Sequence, residues 1–315
     1  MEIILHRFFK VGGCSIVCLL IAFMGVAQQP FHFRLRLKVG GNYQYVYKSK
    51  TSVIYKEFLS TVKGISDQGR RVEFRVLAID SAGNFIIEGR YKEAMQKMHI
   101  PIWGEVGYDT KDSSGINGDS FLAGFNGLFK AELDPLLAYP FQMALSPKGR
   151  VLWVRGIKRI RDTLIASVND LDFLSPEQKK AAIDTIKEMN DQTVAEEWDE
   201  FFEVYPDSLI SKGAKWERDL EQDSTQKYSY QLSDIHQDSL KIGLSASYLV
   251  KGLTQNGDEA KMNMSISGNM VIDQKTGNIL WKMIHQDAKG TEVINDKVKP
   301  ATENKTTNET MHFLK

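Results

Sequence analysis

The chain reads as an α+β protein in which two predominantly antiparallel, curved β-sheet units flank a helical insert, giving a half-barrel-like architecture. Three observations predict this class. Apolar residues alternate with polar ones over 33–91 and again over 213–286, which is the period of half-buried strands. Between these runs the apolar spacing changes to three and four, the period of helices. The strands are joined by short turns, which suit antiparallel pairs and cannot form parallel crossovers. The division that follows is a signal peptide over 1–27, a first β-unit with a Gly/Phe-rich segment over 28–155, a helical insert over 156–206, a second β-unit over 207–296 and a polar, disordered tail over 297–315.

The elements follow in order. His6, Arg7 and Lys10 precede an apolar run from Val11 to Met24, and Gly25-Val26-Ala27 supplies the small residues that signal peptidase needs. Cleavage after Ala27 is expected, and with it export to the periplasm or the outer membrane. Phe33, Leu35, Leu37 and Val39 alternate with Arg34, Arg36 and Lys38 as a first strand, and Gly40-Gly41-Asn42 turns the chain into Tyr43–Lys48. Further strands are expected at Ser52–Val62, Arg71–Asp80 and Phe85–Tyr91. Glycines punctuate 104–130, yet Phe121, Phe125 and Phe129 recur every four residues on one helical face. Phe141–Ser146 and Arg150–Arg155 form a strand pair across Pro147-Lys148-Gly149.

Ile157, Ile160, Leu164 and Val168 stripe a first insert helix. Ser175-Pro176-Glu177-Gln178 opens a second with a capping box and a proline at the first helical position. A third helix covers Val194–Tyr205 and stops at Pro206. Strands resume at Gly213-Ala214-Lys215-Trp216 and continue through Tyr228–Ile235, Leu240–Leu249, Lys261–Asp273 and Asn278–Gln286. The halves echo each other, with Gly149-Arg150-Val151-Leu152-Trp153 in the first and Gly277-Asn278-Ile279-Leu280-Trp281 in the second. An internal duplication and the ordinary repetition of a meander both account for this.

Composition narrows function. Both cysteines, Cys14 and Cys18, lie in the signal segment, so thiolate catalysis, thiolate metal sites and disulfides are excluded from the mature chain. The 40 basic and 40 acidic residues fall to 38 and 39 without residues 1–27, a net charge of −1 that gives no drive toward nucleic acid. No apolar stretch after residue 27 is long enough to span a membrane.

The strand and turn signatures carry a resemblance. Leu35-Arg36-Leu37-Lys38-Val39-Gly40, Ser146-Pro147-Lys148-Gly149-Arg150-Val151, Lys212-Gly213-Ala214-Lys215-Trp216-Glu217, Tyr230-Gln231-Leu232 and Asp273-x-x-Thr276-Gly277 resemble a family of uncharacterised secreted bacterial envelope proteins, a domain of unknown function. That resemblance covers most of 33–290 and implies no catalytic residue. The strand–helix–strand order is also similar to periplasmic lipoprotein carriers of the LolA and LolB kind, an architectural likeness.

Sites are sparse. The histidines show no metal spacing; His285 and Asp287 share a strand face and would need a third ligand. Glu196, Glu197, Asp199, Glu200 and Glu203 read as a solvated acidic helix face. Asp119, Ser120 and His236 are the polar residues that a hydrolase acting on envelope glycans or lipids would recruit. Phe121, Phe125, Phe129, Trp153, Trp198, Phe201, Phe202, Trp216 and Trp281 are the aromatic candidates, which either line an apolar ligand pocket, with the Gly/Phe segment as its lid, or fill the core; Phe121, Phe125, Phe129, Trp153, Trp216 and Trp281 are the pocket set. No cofactor or metal is expected. The resulting expectation is a non-enzymatic envelope protein that binds a lipid, a lipoprotein or another envelope component. The alternatives are an interaction protein with a filled core and the hydrolase.

Overall fold

A computed structural model describes residues 32–57, 60–100, 104–112, 120–202, 205–206, 208–219, 227–253, 258–294 and 297–314. The signal-peptide reading of 1–27 and Asp119 lie outside these residues, as do the side chains of Ser120 and Phe121.

The strands are β1 (Asn42–Glu57), β2 (Ser60–Ile79), β3 (Phe85–Ile100), β4 (Gly104–Asp109), β5 (Phe141–Leu145), β6 (Val151–Arg155), β7 (Lys215–Asp219), β8 (Lys227–Ile235), β9 (Ser239–Leu253), β10 (Glu259–Asp273), β11 (Ile279–Ile294) and β12 (Lys297–Leu314). The helices are α1 (Ser120–Ala138), α2 (Ile157–Asn169), α3 (Pro176–Glu188) and α4 (Asp191–Phe202). The strands form one antiparallel, curved, open sheet in the order β6-β5-β3-β2-β1-β12-β11-β10-β9-β8-β7, with β4 beside β3. Each half is a five-strand run in chain order, and β12 joins them.

Two expectations are corrected here. The tail is not disordered. From Lys297 it forms β12, paired on one side with β1 and on the other with β11. Its polar composition hid it, because its inward positions are matched across strands by polar partners: Thr307 faces Ser49 and Glu309 faces Lys282. The segment from Phe33 to Leu37 is extended but joins no ladder. Its alternation is real, with Phe33, Leu35 and Leu37 all buried. Its backbone partners are two hairpin turns: the Leu35 N–H donates to Pro147 O (2.8 Å) and the Arg36 N–H to Thr276 O (2.6 Å).

Those two bonds measure the curvature. Five strand-to-strand steps separate β5 from β11 in the sheet order, roughly 24 Å if the sheet were flat. Successive residues, about 3.8 Å apart, reach both turns. The sheet is therefore rolled, and the Phe33–Leu37 segment ties its two halves together at one end. Tyr205 and Pro206 complete the tie. The Tyr205 hydroxyl donates to Gly277 O (2.6 Å), its ring lies 4.7 Å from that of Phe33, and Arg34 Nη1 donates to Pro206 O (2.8 Å).

The matching turn glycines serve this junction. Gly149 and Gly277 have φ 78° and 73°, a left-handed conformation that favours glycine. A Cβ at Gly149 would collide with the Phe202 carbonyl oxygen, and one at Gly277 with that of Arg34. Gly213 has the same hand (φ 86°) but open space around it. Gly277→Ala is therefore expected to cost about 2–5 kcal/mol, left-handed strain plus displaced backbone. Gly213→Ala should cost only about 1–2 kcal/mol. Equilibrium denaturation of the two variants checks this; equal losses would show that the turn does not pack against the Arg34 backbone.

Helix α4 lies on the concave side. The capping box at Ser175 forms as the sequence predicts, Gln178 N donating to Ser175 Oγ and Ser175 N to Gln178 Oε1. The aromatic face of α4 enters the roll. Trp198 packs against Tyr45 (5.1 Å between ring centres), Phe74 (5.0 Å) and Phe141 (6.1 Å), and Phe201 against Tyr45 (4.6 Å). Helix α1 rests over β4, where Gly107 N donates to Asn126 Oδ1 (2.8 Å). The convex side is polar: Lys261, Asn263, Ser265, Ser267 and Asn269 on β10 are all exposed, as are Asn304 and Asn308 on β12. A membrane barrel carries an apolar band on that side. Among the described residues no helix is long and apolar enough to cross a membrane.

Candidate functional site

Above the aromatic plug, the concave face and α4 enclose a cavity of about 340 Å³. Strand parity and register decide what lines it. On β1, Tyr45 and Tyr47 point inward; on β2, Gln68, Arg70 and Val72; on β11, Lys282, Ile284 and Gln286; on β12, Lys305, Thr307 and Glu309. Tyr228, Tyr230, Leu244 and Ile266 line the side built by β8–β10, and α4 adds Glu197, Trp198, Glu200 and Phe201. The lining is divided: the wall from β8 to β10 is aromatic and aliphatic, and the wall from β11 through β12 to β2 is mainly polar.

Ion pairs fix the polar wall. Lys282 and Glu309 stand directly opposite on β11 and β12, 3.3 Å apart, with side chains only 6% and 9% exposed. Lys282 Nζ also donates to Glu200 O (3.3 Å) and lies 5.5 Å from the Phe201 ring centre, so one buried cation holds α4 to the sheet. Removing one partner of such a pair strands the other and costs about 3–5 kcal/mol. Arg70 reaches Glu197 at 2.8 Å.

The electrostatics follow from burial. Tyr45 has its pKa pushed well up by burial and by the charges of Glu309 and Glu197. Tyr91 and Tyr228 are raised first by burial, then by Glu197 and Glu200 respectively. These phenols stay protonated at neutral pH and remain donors. Glu200 is also raised, because desolvation outweighs the pull of Lys282 and Arg218.

The acidic face of α4 is thus not merely solvated. Glu197 pairs with Arg70, Asp199 accepts the Val151 N–H (2.6 Å), and Glu200 lines the cavity. The sequence signal was present in the interleaving of Glu197 and Glu200 with Trp198 and Phe201.

Of the aromatic candidates, Trp198 and Phe201 line the cavity and Phe202 packs beside them, whereas the pocket set itself is dispersed. Phe129 is buried and Phe125 partly buried on α1, packed into the core and away from the cavity lining. Trp153 on β6 lies under the Arg155 guanidinium (4.5 Å). Trp281 precedes inward-facing Lys282, so it points to the convex side. Trp216 comes nearest, stacked 5.5 Å from Tyr230, itself a lining residue. Phe121 is on α1, its side chain outside the described residues. His236 Nε2 stands 3.0 Å from Asp234, its neighbour at the β8–β9 turn. His285 and Asp287 share the convex face of β11, where His285 Nδ1 contacts Thr306 Oγ1 (3.2 Å). Among the described residues no three side chains group as a metal site.

Comparisons with solved structures give distant likenesses. A structure concerned with lipid–protein interactions in lipovitellin matches at 6% identity and a TM-score of 0.47, over 87% of this chain and 25% of that one. The chain thus spans about a quarter of the lipovitellin chain. An outer membrane channel from Pseudomonas putida F1 matches at 7% identity and a TM-score of 0.27, over 90% of this chain and 99% of that one. Scores this low have no bearing on ligand or activity. No curated protein matches. Residues 82–279, well over half the chain, match the model of a family of unknown function, DUF6263, and the chain belongs to that family.

Proposed function

We propose that this is an exported, non-enzymatic envelope protein that holds a small amphipathic molecule in the concave cavity. The observation that carries the reading is the divided lining. An apolar wall of Tyr228, Tyr230, Leu244 and Ile266 faces a polar wall of Gln68, Arg70, Gln286, Lys305 and Glu309 across about 340 Å³. Pockets for small ligands start near 300 Å³ and combine apolar surface with a few placed polar groups. A wholly apolar ligand would leave the polar wall dehydrated without partners, which is costly. Export rests on the N-terminal pattern from His6 to Ala27. A non-enzymatic role is favoured because two of the three cations that line the cavity, Arg70 and Lys282, are held in ion pairs with Glu197 and Glu309.

A cavity-filling substitution tests the reading. Ile284→Trp fills the cavity from β11, whereas Met283→Trp places the same ring on the convex side. Displacement of an environment-sensitive fluorescent amphiphile should weaken at least about tenfold in Ile284→Trp, and Met283→Trp should match the wild type. Equal affinity in the two variants would contradict the proposal.

A further inference from the structure

The cavity has three cations, and two of them are already matched. Arg70 is held by Glu197 and Lys282 by Glu309. The third, Lys305, makes no hydrogen bond or ion pair with any described residue. Its cross-strand neighbours on the concave face are Gln286 on β11 and Thr51 on β1. The side chains of Gln286 and of Gln68 are likewise without a partner among the described residues. Glu303 lies two residues along the same strand face and forms no ion pair with Lys305. Of the carboxylates that line the cavity, Glu197 and Glu309 are paired, and Glu200 lies in the field of Lys282 and Arg218. Lys305 is the cation whose charge nothing in the cavity answers.

Its position adds the second element. The register sets Ala246, Ile266, Gln286 and Lys305 in one row across β9, β10, β11 and β12. The adjacent row holds Leu244, Gly268 and Ile284. From Lys305, therefore, a path over Gln286 leads within about 10 Å onto an aliphatic floor bounded by Tyr228 and Tyr230. Gly268 keeps that floor low, since a Cβ there would press on the Met283 carbonyl and on Leu244.

From this juxtaposition we infer that the ligand is an anionic amphiphile: a carboxylate or phosphate head bound by Lys305 and Gln286, with its hydrocarbon chain on Ile266, Leu244 and Ile284. The inference rests on the proposed function and adds to it the sign of the head and the direction of the chain. The ammonium provides three donors and the glutamine amide two, all acceptor-seeking, as an oxyanion requires.

Titration calorimetry with dodecanoate, dodecanol and acetate at fixed ionic strength tests it. The proteins are the wild type, Lys305→Gln, Lys305→Arg and, as a control, Lys289→Gln on the exposed convex side of β11. The wild type should bind dodecanoate more tightly than dodecanol and should not bind acetate at comparable concentrations. Lys305→Gln should weaken dodecanoate roughly tenfold to hundredfold and leave dodecanol unchanged; Lys305→Arg and Lys289→Gln should stay near the wild type. Dodecanol binding as tightly as dodecanoate, or dodecanoate indifferent to Lys305→Gln, overturns the anionic head while leaving the cavity reading intact. Acetate bound as tightly as dodecanoate overturns the chain. Binding of neither long-chain compound removes both the inference and the reading it rests on.

Discussion

Deleting the chain from Lys297 onward is expected to abolish folding. The tail is the middle strand of the sheet, and its loss uncovers the long facing edges of β1 and β11. It removes buried Met311, Ala301 and Thr307, and it leaves Lys282 inside the roll without Glu309. The stranded charge alone costs about 3–5 kcal/mol. Two lost ladders come on top, against a total stability of about 5–15 kcal/mol for a typical domain. Circular dichroism and soluble yield report the outcome. The contrary result is a truncated protein that folds with native near-UV signal, as a disordered tail would allow.

The second large effect is expected at Trp198. This side chain is 4% exposed and meets aromatic rings from β1, β2 and β5 as well as Phe201 and Phe202 of its own helix. Trp198→Ala removes the centre of the plug, at about 3–5 kcal/mol, with a melting temperature lower by roughly 10 °C. The cavity should then merge with the void left below it and bind amphiphiles less selectively. Trp281→Ala, on the convex side, is expected to cost about 1 kcal/mol or less. Calorimetric melting of the pair separates the two faces; a Trp281→Ala loss as large as that of Trp198→Ala would mean that the concave core is misplaced.

The local rules were legible in the residues. The capping box at Ser175, the apolar stripe of α2 and the turn glycines each state a structure that forms, and the period-two runs mark burial even where strand bounds differ, as over Ser52–Val62, which spans the end of β1 and the start of β2. What stayed hidden depends on pairings between distant strands. Residues 297–314 contain few apolar side chains, and only their register against β1 and β11 shows why Thr307 and Glu309 are buried. The cavity has the same character, drawing one to three residues from each of eight strands and four from one helix, so that no short spacing marks it. Aromatic content pointed toward Trp198 and Phe201, which line the cavity, and equally toward Trp153 and Trp281, which do not; strand parity places Lys282 inward and Trp281 outward. The Phe33–Leu37 segment shows a subtler limit, since alternation reveals burial but not the partner, and here the partners are turns.

Native mass spectrometry of a protein comprising residues 28–315, purified without detergent, tests the central claim most directly. The expected result is a reproducible added mass in the lipid range that is lost on organic extraction and absent from Ile284→Trp. An unliganded mass for the wild type that persists after incubation with dodecanoate would contradict a cavity built to hold an amphiphile.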